Sequence, residues 1–195
     1  MRKLLFAAAF ALAGAAAAAQ AAPVPGRPAV EDESVIDAGG RILSESIIIE
    51  APREQVWRAF ATTEGLLKWQ APVAEIDLKV GGHLEASYNP KARIGDPGNI
   101  RHEILAYRPG RLIVFRNVQV PPGFKHGAEF GKVVTVLEFE DAGPGRTKVT
   151  CSGVGYQSGQ AWDELYKFFH AGNAYVLEAL KAHVEGKAGP SGPAH

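Results

Sequence analysis

The fold is decided by the stretch Ile47-Ile48-Ile49-Glu50-Ala51-Pro52-Arg53-Glu54-Gln55-Val56-Trp57-Arg58-Ala59-Phe60. Its first part contains three successive isoleucines, and β-branched residues favour an extended, buried strand. Pro52 ends that strand and suits the start of a helix, where its missing N–H needs no partner. Val56 and Phe60 then lie four residues apart and share one helical face. The stretch therefore predicts a buried strand that leads directly into an amphipathic helix.

Downstream of this unit, apolar runs alternate with segments rich in Gly and Pro. The runs predict six further strands, near residues 71–78, 83–88, 99–107, 111–118, 131–140 and 146–154. A short second helix, starting at Thr62 or Thr63, precedes them. Because the connections are mostly short, neighbouring strands should be antiparallel. The sequence thus predicts an α+β fold with a curved antiparallel sheet of about seven strands.

A long helix is predicted from about Gln160 to Val184, with Ser158 as its N-cap. Apolar residues recur along it at three- and four-residue steps or their sums, which gives a continuous inward stripe: Trp162, Leu165, Phe169, Val176 and Leu180. Gly172 and Asn173 interrupt this stripe. They either border a cavity, or Gly172 permits close packing while Asn173 bonds a neighbouring backbone.

Three segments carry a family resemblance: residues 51–60, residues 64–69 and residues 75–82. They resemble the opening of an SRPBCC (START/Bet v 1-like) domain, in the branch related to the C-terminal domain of the Hsp90 ATPase activator. The segments at 131–140 and 162–180 fit the same pattern. The resemblance implies a helix-grip fold, in which the sheet wraps around the long C-terminal helix. Members of this superfamily include lipid carriers, cyclases, hydrolases and co-chaperones, so the fold alone does not define an activity.

The N-terminus has the features of a secretory signal peptide over residues 1–21. Arg2 and Lys3 precede an apolar, alanine-rich run, and Ala19-Gln20-Ala21 is a small-x-small cleavage site. The run is shorter than a membrane-spanning helix requires. We therefore expect an exported protein, periplasmic or secreted, with no stable membrane anchor after cleavage. Residues 22–40 should form a flexible linker, 41–186 the domain and 187–195 a disordered tail.

The composition excludes several kinds of partner and site. The chain has 21 basic and 21 acidic residues and no basic run, so nucleic acid is not an expected partner. Cys151 is the only cysteine, which rules out an internal disulfide and favours a small buried side chain. No hydrolase, metalloprotease or phosphate-binding motif is present. We predict no catalytic residue, no metal site and no cofactor.

Several polar residues in the strands and loops require interpretation. His102 and Glu103 are adjacent in a strand and should point to opposite faces. Arg116 and Glu138 are expected on the solvated face of the sheet rather than at a ligand. The loops at 88–98 and 119–130 either gate a site or are ordinary surface excursions. In the second loop, Lys125 and His126 could meet a negative group on an apolar molecule.

The leading functional prediction is a non-enzymatic protein that binds a small hydrophobic molecule between the sheet and the long helix. The predicted ligand-binding residues are Trp69, Trp162, Tyr166, Phe169 and Asn173, a mainly aromatic set with one amide. One alternative is a cyclase- or hydrolase-like enzyme that uses the same pocket. Another is a protein-interaction module like the Hsp90 ATPase activator domain, for which the sequence identifies no partner.

Overall fold

The computed structural model describes residues 29–37 and 40–189. The predicted signal peptide, the first part of the predicted linker and residues 190–195 lie outside this part of the chain. In chain order the elements are β1 Val30–Asp32, β2 Val35–Asp37, β3 Gly40–Ile49, α1 Arg53–Ala61, α2 Thr63–Leu66, β4 Val73–Ile76, β5 His83–Ser87, β6 Ile100–Arg108, β7 Leu112–Gln119, α3 Gly127–Phe130, β8 Val134–Asp141, β9 Thr147–Tyr156 and α4 Gln160–Val184.

These strands form one antiparallel sheet in the order β1-β3-β9-β8-β7-β6-β5-β4, and β2 pairs with the other end of β3. The sheet and the long helix α4 confirm the predicted α+β helix-grip fold. The described residues contain nine strands rather than about seven, because β1 and β2 lie where the sequence predicted a flexible linker. Val30 pairs with Ile47 and Val35 with Ile42. Both short strands therefore cover the otherwise free edge of β3.

Helices α1 and α2 connect β3 to β4 at opposite ends of the sheet. Pro52 immediately precedes α1, as its fixed φ favours. The Thr62 hydroxyl accepts a hydrogen bond from the Gly65 amide and caps α2. Gly65 allows the two helices to approach closely, since a Cβ there would lie 2.4 Å from the Arg58 carbonyl oxygen. The turn between the helices therefore depends on the Thr62 cap and on the absence of a side chain at Gly65.

Helix α4 has the predicted bounds and lies against the concave face of the sheet, with its closest contacts to β3, β9 and α1. The predicted N-cap was wrong: the cap is Gly159, not Ser158, and no side chain caps the helix. The chain enters the helix with a φ of 117° at Gly159, a conformation that glycine adopts without strain. No helix among the described residues is long and apolar enough to span a membrane.

Two hydrophobic clusters hold α4 to the sheet. The larger one lies at the C-terminal half of the helix and includes Leu177, Leu180, Phe60, Phe139 and Ile49. The smaller one surrounds the N-terminal half and consists of Leu43, Phe130, Val133, Tyr156, Trp162 and Leu165. At the far end, Lys187 of the predicted disordered tail is bonded to the Ala182 carbonyl and the Glu185 carboxylate. The first residue of the predicted tail is thus hydrogen-bonded to the C-terminal end of α4.

Candidate functional site

A cavity of about 270 Å³ lies between the concave face of the sheet and the middle of α4. Its wall is mostly apolar and comes from the strands, from α4 and from the loop after β7. The residues that line it are Phe60, Gln70, Leu84, Ala86, Tyr88, Ile100, His102, Phe115, Val120, Pro121, Phe124, Phe130, Thr135, Leu137, Cys151, Phe168, Phe169, Asn173, Val176, Leu177 and Leu180. None of these is Lys, Arg, Asp or Glu.

Phenylalanines form one side of this cavity. The Phe130 and Phe169 rings have centroids 4.4 Å apart, and Phe124 lies 6.1 Å from Phe130. Phe168 contacts Phe124 edge-on at 5.5 Å, although more than half of its own surface is exposed. Tyr88, which also lines the cavity, is similarly exposed. These two exposed rings therefore place the mouth of the cavity near Phe168 and Tyr88.

The loop after β7 forms part of the wall through Val120, Pro121 and Phe124. Glu164 of α4 anchors it: its Oε2 accepts from Lys125 Nζ at 2.5 Å and lies 3.0 Å from His126 Nε2. The hydrogen bond from Lys125 is the main reason that the pKa of Glu164 falls to about 2. Lys125 and His126 are therefore engaged on the outside of the cavity. The hypothesis that they meet a negative group on a ligand has no support in this arrangement.

The other long loop is attached to the outer face of β5. Glu85 is fully buried, and its Oε1 accepts from the Gly95 amide and from Asn99 Nδ2, both at 2.6 Å. Only Tyr88, at the start of this loop, reaches the cavity. Of the two loops, the one after β7 therefore covers the site more extensively, and both border it rather than forming separate excursions.

His102 is the histidine of the cavity wall, and its environment is apolar. Its ring lies 4.9 Å from Phe115 and 5.9 Å from Phe130, both edge-on. Its Nδ1 is buried without a hydrogen-bond partner among the described residues. Burial lowers the pKa of His102 to about 4, so the imidazole is neutral at pH 7. As predicted, the adjacent Glu103 faces away from it, and bonds Arg116 at 2.9 Å on the outer side.

A buried carboxyl group, Glu45, lies next to the cavity but does not line it. It stands opposite Cys151 in the β3–β9 pairing, and its Oε1 is 3.7 Å from His170 Nδ1. The other side of the His170 ring lies 3.2 Å from Asp32. Burial raises the pKa of Glu45 to about 7, while His170 and a hydrogen bond from Asn173 oppose that rise. Asn173 thus joins the cavity wall to this buried carboxyl.

Cys151 lines the cavity from β9, with a buried thiol. Burial and the nearby Glu45 carboxyl raise the pKa of the thiol to about 12. The thiolate is therefore not formed at neutral pH, which agrees with the predicted role of a small buried side chain. In the described part of the chain, no three His, Cys, Asp or Glu residues are grouped so that they could hold a metal ion.

The structure separates the five predicted ligand-binding residues into two groups. Phe169 and Asn173 line the cavity. Trp69 instead packs against Phe60 and donates its Nε1–H to the Ala59 carbonyl at 2.9 Å. Trp162 and Tyr166 pack against Tyr156, at centroid distances of 6.3 and 5.2 Å. These three side chains lie outside the cavity wall, in the packed layer around it.

Three polar groups near the cavity were missed by the sequence reasoning: Gln70, Thr135 and Glu45. Thr135 and Gln70 line the wall. Alternation within β3 places Glu45 on the same face as Leu43 and Ile47, and this signal could have identified it as buried.

The sequence offered two explanations for Gly172, a cavity beside the helix or close packing. Close packing does not explain it, since an added Cβ would contact nothing within 4 Å.

A second depression, of about 400 Å³, lies between α1, α2 and the end of α4. Its wall carries charged side chains, including Arg58, Glu64 and Lys68, and Lys68 is bonded to Glu64 at 2.6 Å. It lacks the aromatic lining that distinguishes the cavity beneath the sheet. The cavity is therefore the better candidate for a small-molecule site.

Comparison with known proteins identifies the family. A family model described as Activator of Hsp90 ATPase homolog 1-like protein matches residues 50–185. No curated protein matches the chain.

Among similar solved structures, the Aha1 dimer from Colwellia psychrerythraea has a TM-score of 0.59 at 17% identity, covering 74% of this chain and 96% of that one. CalU16 from Micromonospora echinospora gives 0.57 at 18% identity, covering 83% and 88%. A conserved protein of unknown function from Enterococcus faecalis gives 0.59 at 16%, covering 84% and 83%. At these identities the likeness shows the shared fold. Because the family model covers most of its length, the chain belongs to the Activator of Hsp90 ATPase homolog 1-like family of the SRPBCC superfamily.

Proposed function

We propose that this protein binds a small hydrophobic molecule in the cavity between the sheet and α4. The observation that carries the proposal is the cavity itself, with its phenylalanine wall and its few polar groups. An apolar cavity of about 150 Å³ can hold benzene, so a cavity of about 270 Å³ suits a molecule of one or two rings. Aromatic and aliphatic lining with a few polar groups is typical of small-molecule sites.

The proposal is for binding rather than catalysis. Among the described residues, the cavity wall contains no carboxylate, and its one thiol and one imidazole are both neutral at pH 7. General acid–base catalysis would need a group that titrates near the working pH. Glu45 titrates there, but it lies behind Asn173 and does not line the cavity.

A cavity-blocking variant tests the proposal. Val176 lies on α4 in the cavity wall, so Val176→Trp should fill part of the cavity. Val118→Trp makes the same change at an exposed position on β7 and serves as the control. We expect a panel of one- and two-ring apolar compounds to stabilise the wild-type and Val118→Trp proteins thermally, and Val176→Trp to lose the effect. If no compound in the panel binds the wild-type protein, the proposal fails.

We also propose that the protein is exported and works outside the cytoplasm, without a stable membrane anchor after processing. The support is the sequence of residues 1–21, with its basic start, apolar run and small-x-small site. The test is the intact mass of the protein recovered from the exported fraction of its own cell. A chain that begins at Ala22 is expected; a cytoplasmic chain that retains Met1 would contradict export.

A further inference from the structure

The loop after β7 meets α4 at two points that lie one helical turn apart. At the first, the Phe124 ring contacts Phe168 edge-on, with the centroids 5.5 Å apart. At the second, Glu164 Oε2 accepts a hydrogen bond from Lys125 Nζ at 2.5 Å and lies 3.0 Å from His126 Nε2. Because Glu164 and Phe168 are four residues apart, they lie on the same face of α4. Three consecutive loop residues therefore hold the loop against one face of the helix.

This loop covers one side of the cavity mouth. Val120, Pro121 and Phe124 line the cavity, and so does Phe168, against which Phe124 packs. More than half of the Phe168 surface is exposed, so the contact between the two rings lies where the cavity meets solvent. Displacement of residues 120–126 from α4 would therefore widen the mouth.

Among the described residues, the backbone of residues 120–126 forms hydrogen bonds only within the loop. The Phe124 amide donates to the Pro121 carbonyl at 3.2 Å, and the His126 carbonyl accepts from the Phe130 amide at 2.9 Å. Side-chain contacts therefore hold the loop to α4. A segment that lacks backbone pairing to its neighbours opens at a lower free-energy cost than the core of a sheet.

Glu164 is the centre of the polar contact. Its Oε1 accepts a hydrogen bond from Gln160 Nε2 at 2.9 Å, so both carboxylate oxygens are bonded. The Lys125 side chain is 74% exposed, and exposed ion pairs stabilise weakly because water and salt screen them. The contact therefore favours the closed loop without locking it. Glu164 does not line the cavity, so it can affect a bound molecule only through the loop.

We infer that residues 120–126 form a lid over the cavity and that Glu164 latches this lid to α4, which controls how fast a hydrophobic molecule enters and leaves. The inference rests on the proposed binding function and adds the regulation of the same site. Glu164 is a positioning residue, since it acts through Lys125 and His126. Because the latch lies outside the cavity wall, it holds the lid over an empty and an occupied cavity alike. Weakening it should speed association and dissociation together and leave the affinity almost unchanged.

Hydrogen exchange of the purified protein tests the lid without a ligand. The amides of Phe124 and Phe130 are the probes, since both are hydrogen-bonded within the loop. Glu164→Lys places a second ammonium group beside Lys125 and should speed the exchange of both amides at least about threefold. Glu178→Lys makes the same charge reversal on α4, beside the C-terminal residues 187–189, and should leave them unchanged.

A double variant separates the loss of a latch from a general defect. Lys125→Glu/Glu164→Lys restores the ion pair with its charges exchanged, and should return the exchange of both amides to within about twofold of the wild type. The amides of β3 should exchange equally slowly in every variant, since they lie in the core of the sheet. Unchanged exchange in Glu164→Lys, or an equal increase in the double variant, would overturn the latch.

The rates of ligand exchange are then measured with naphthalene by stopped-flow fluorescence. We expect Glu164→Lys to raise both rate constants at least about threefold and to keep Kd within about twofold, and the double variant to restore the wild-type rates. If Glu164→Lys weakens Kd without raising the rates, Glu164 shapes the cavity and the inference is wrong, while the binding function stands. If the wild-type protein binds neither naphthalene nor any other compound of the panel, the binding function is contradicted. The hydrogen-exchange result then still shows whether Glu164 holds the loop.

Discussion

The concave face of the sheet has two zones beneath α4, one packed and one open. In the packed zone, Trp162, Tyr166 and Tyr156 interlock, and the buried Glu45 has His170 and Asn173 as neighbours. In the open zone, Phe169 and His102 line the cavity, and the His102 ring packs edge-on against Phe115 and Phe130. The first zone is filled by protein side chains, whereas the second leaves a cavity of about 270 Å³. The difference assigns a structural role to one zone and a binding role to the other.

Substitution of the aromatic residues should give the largest contrast between the zones. Trp162 is 7% exposed, so Trp162→Ala should lower the free energy of unfolding by roughly 3–5 kcal/mol. The folded variant should still bind its ligand within about twofold, since Trp162 lies outside the cavity. Phe169→Ala is the matched change in the open zone. It should cost less stability, because Phe169 is half-buried, and weaken binding more than tenfold.

Urea unfolding with calorimetric titration of each folded variant measures both quantities. The reverse pattern, with binding lost in Trp162→Ala and kept in Phe169→Ala, would exchange the roles of the two zones.

The next largest effect concerns the pH dependence of Glu45. Its folded pKa of about 7 lies above the ordinary value of 4.5, so folding favours its protonated form. The stability it contributes is complete below pH 4.5 and is lost as the pH rises through 7. Relative to the wild type, Glu45→Gln should therefore gain roughly 3 kcal/mol of unfolding free energy between pH 4.5 and pH 8.

Unfolding curves at several pH values measure this gain. The control is Glu138→Gln, which makes the same change at an exposed position of β8 and reports any general effect of replacing a carboxyl by an amide. A pH-independent difference for Glu45→Gln would show that Glu45 is not a strained buried carboxyl.

His102 should show the opposite pH dependence with a smaller amplitude. Its folded pKa of about 4 lies below the ordinary 6.5, so its contribution is complete above pH 6.5 and is lost as the pH falls through 4. Compared with the wild type, His102→Phe should gain roughly 2 kcal/mol of stability between pH 6.5 and pH 4, a value reduced for the partial exposure of the residue. Thermal unfolding across this range measures the gain. No gain at acid pH would mean that the imidazole is charged or solvated.

The smallest effect is expected on the outer face. Arg116 and Glu103 form a pair at 2.9 Å in which the Arg116 side chain is half exposed. Arg116→Ala should therefore change the unfolding free energy by no more than about 0.5 kcal/mol and leave ligand binding unchanged. A large loss of either in parallel unfolding and binding measurements would show that the outer face contributes to the site.

The sequence was sufficient for the fold but only partly for the site. Periodicity located α4 within its observed bounds, and the β-branched run at Ile47–Ile49 located the central strand β3. The sequence did not reveal β1 and β2, because these short segments contain few apolar residues and form strands by pairing with β3. Periodicity also placed Trp162 and Phe169 on the same inward stripe. Trp162 packs against Tyr156, whereas Phe169 borders the cavity. This difference depends on the strands and loops that lie opposite the helix, so it is a tertiary property that periodicity cannot predict.

The most direct test of the central claim is native mass spectrometry, with small-molecule extraction, of the protein purified from its own cell. The account predicts one small hydrophobic molecule per chain, and its loss from Val176→Trp but not from Val118→Trp. A protein that carries no small molecule and is recovered with a partner chain would contradict the account, and would favour an interaction module on the same fold.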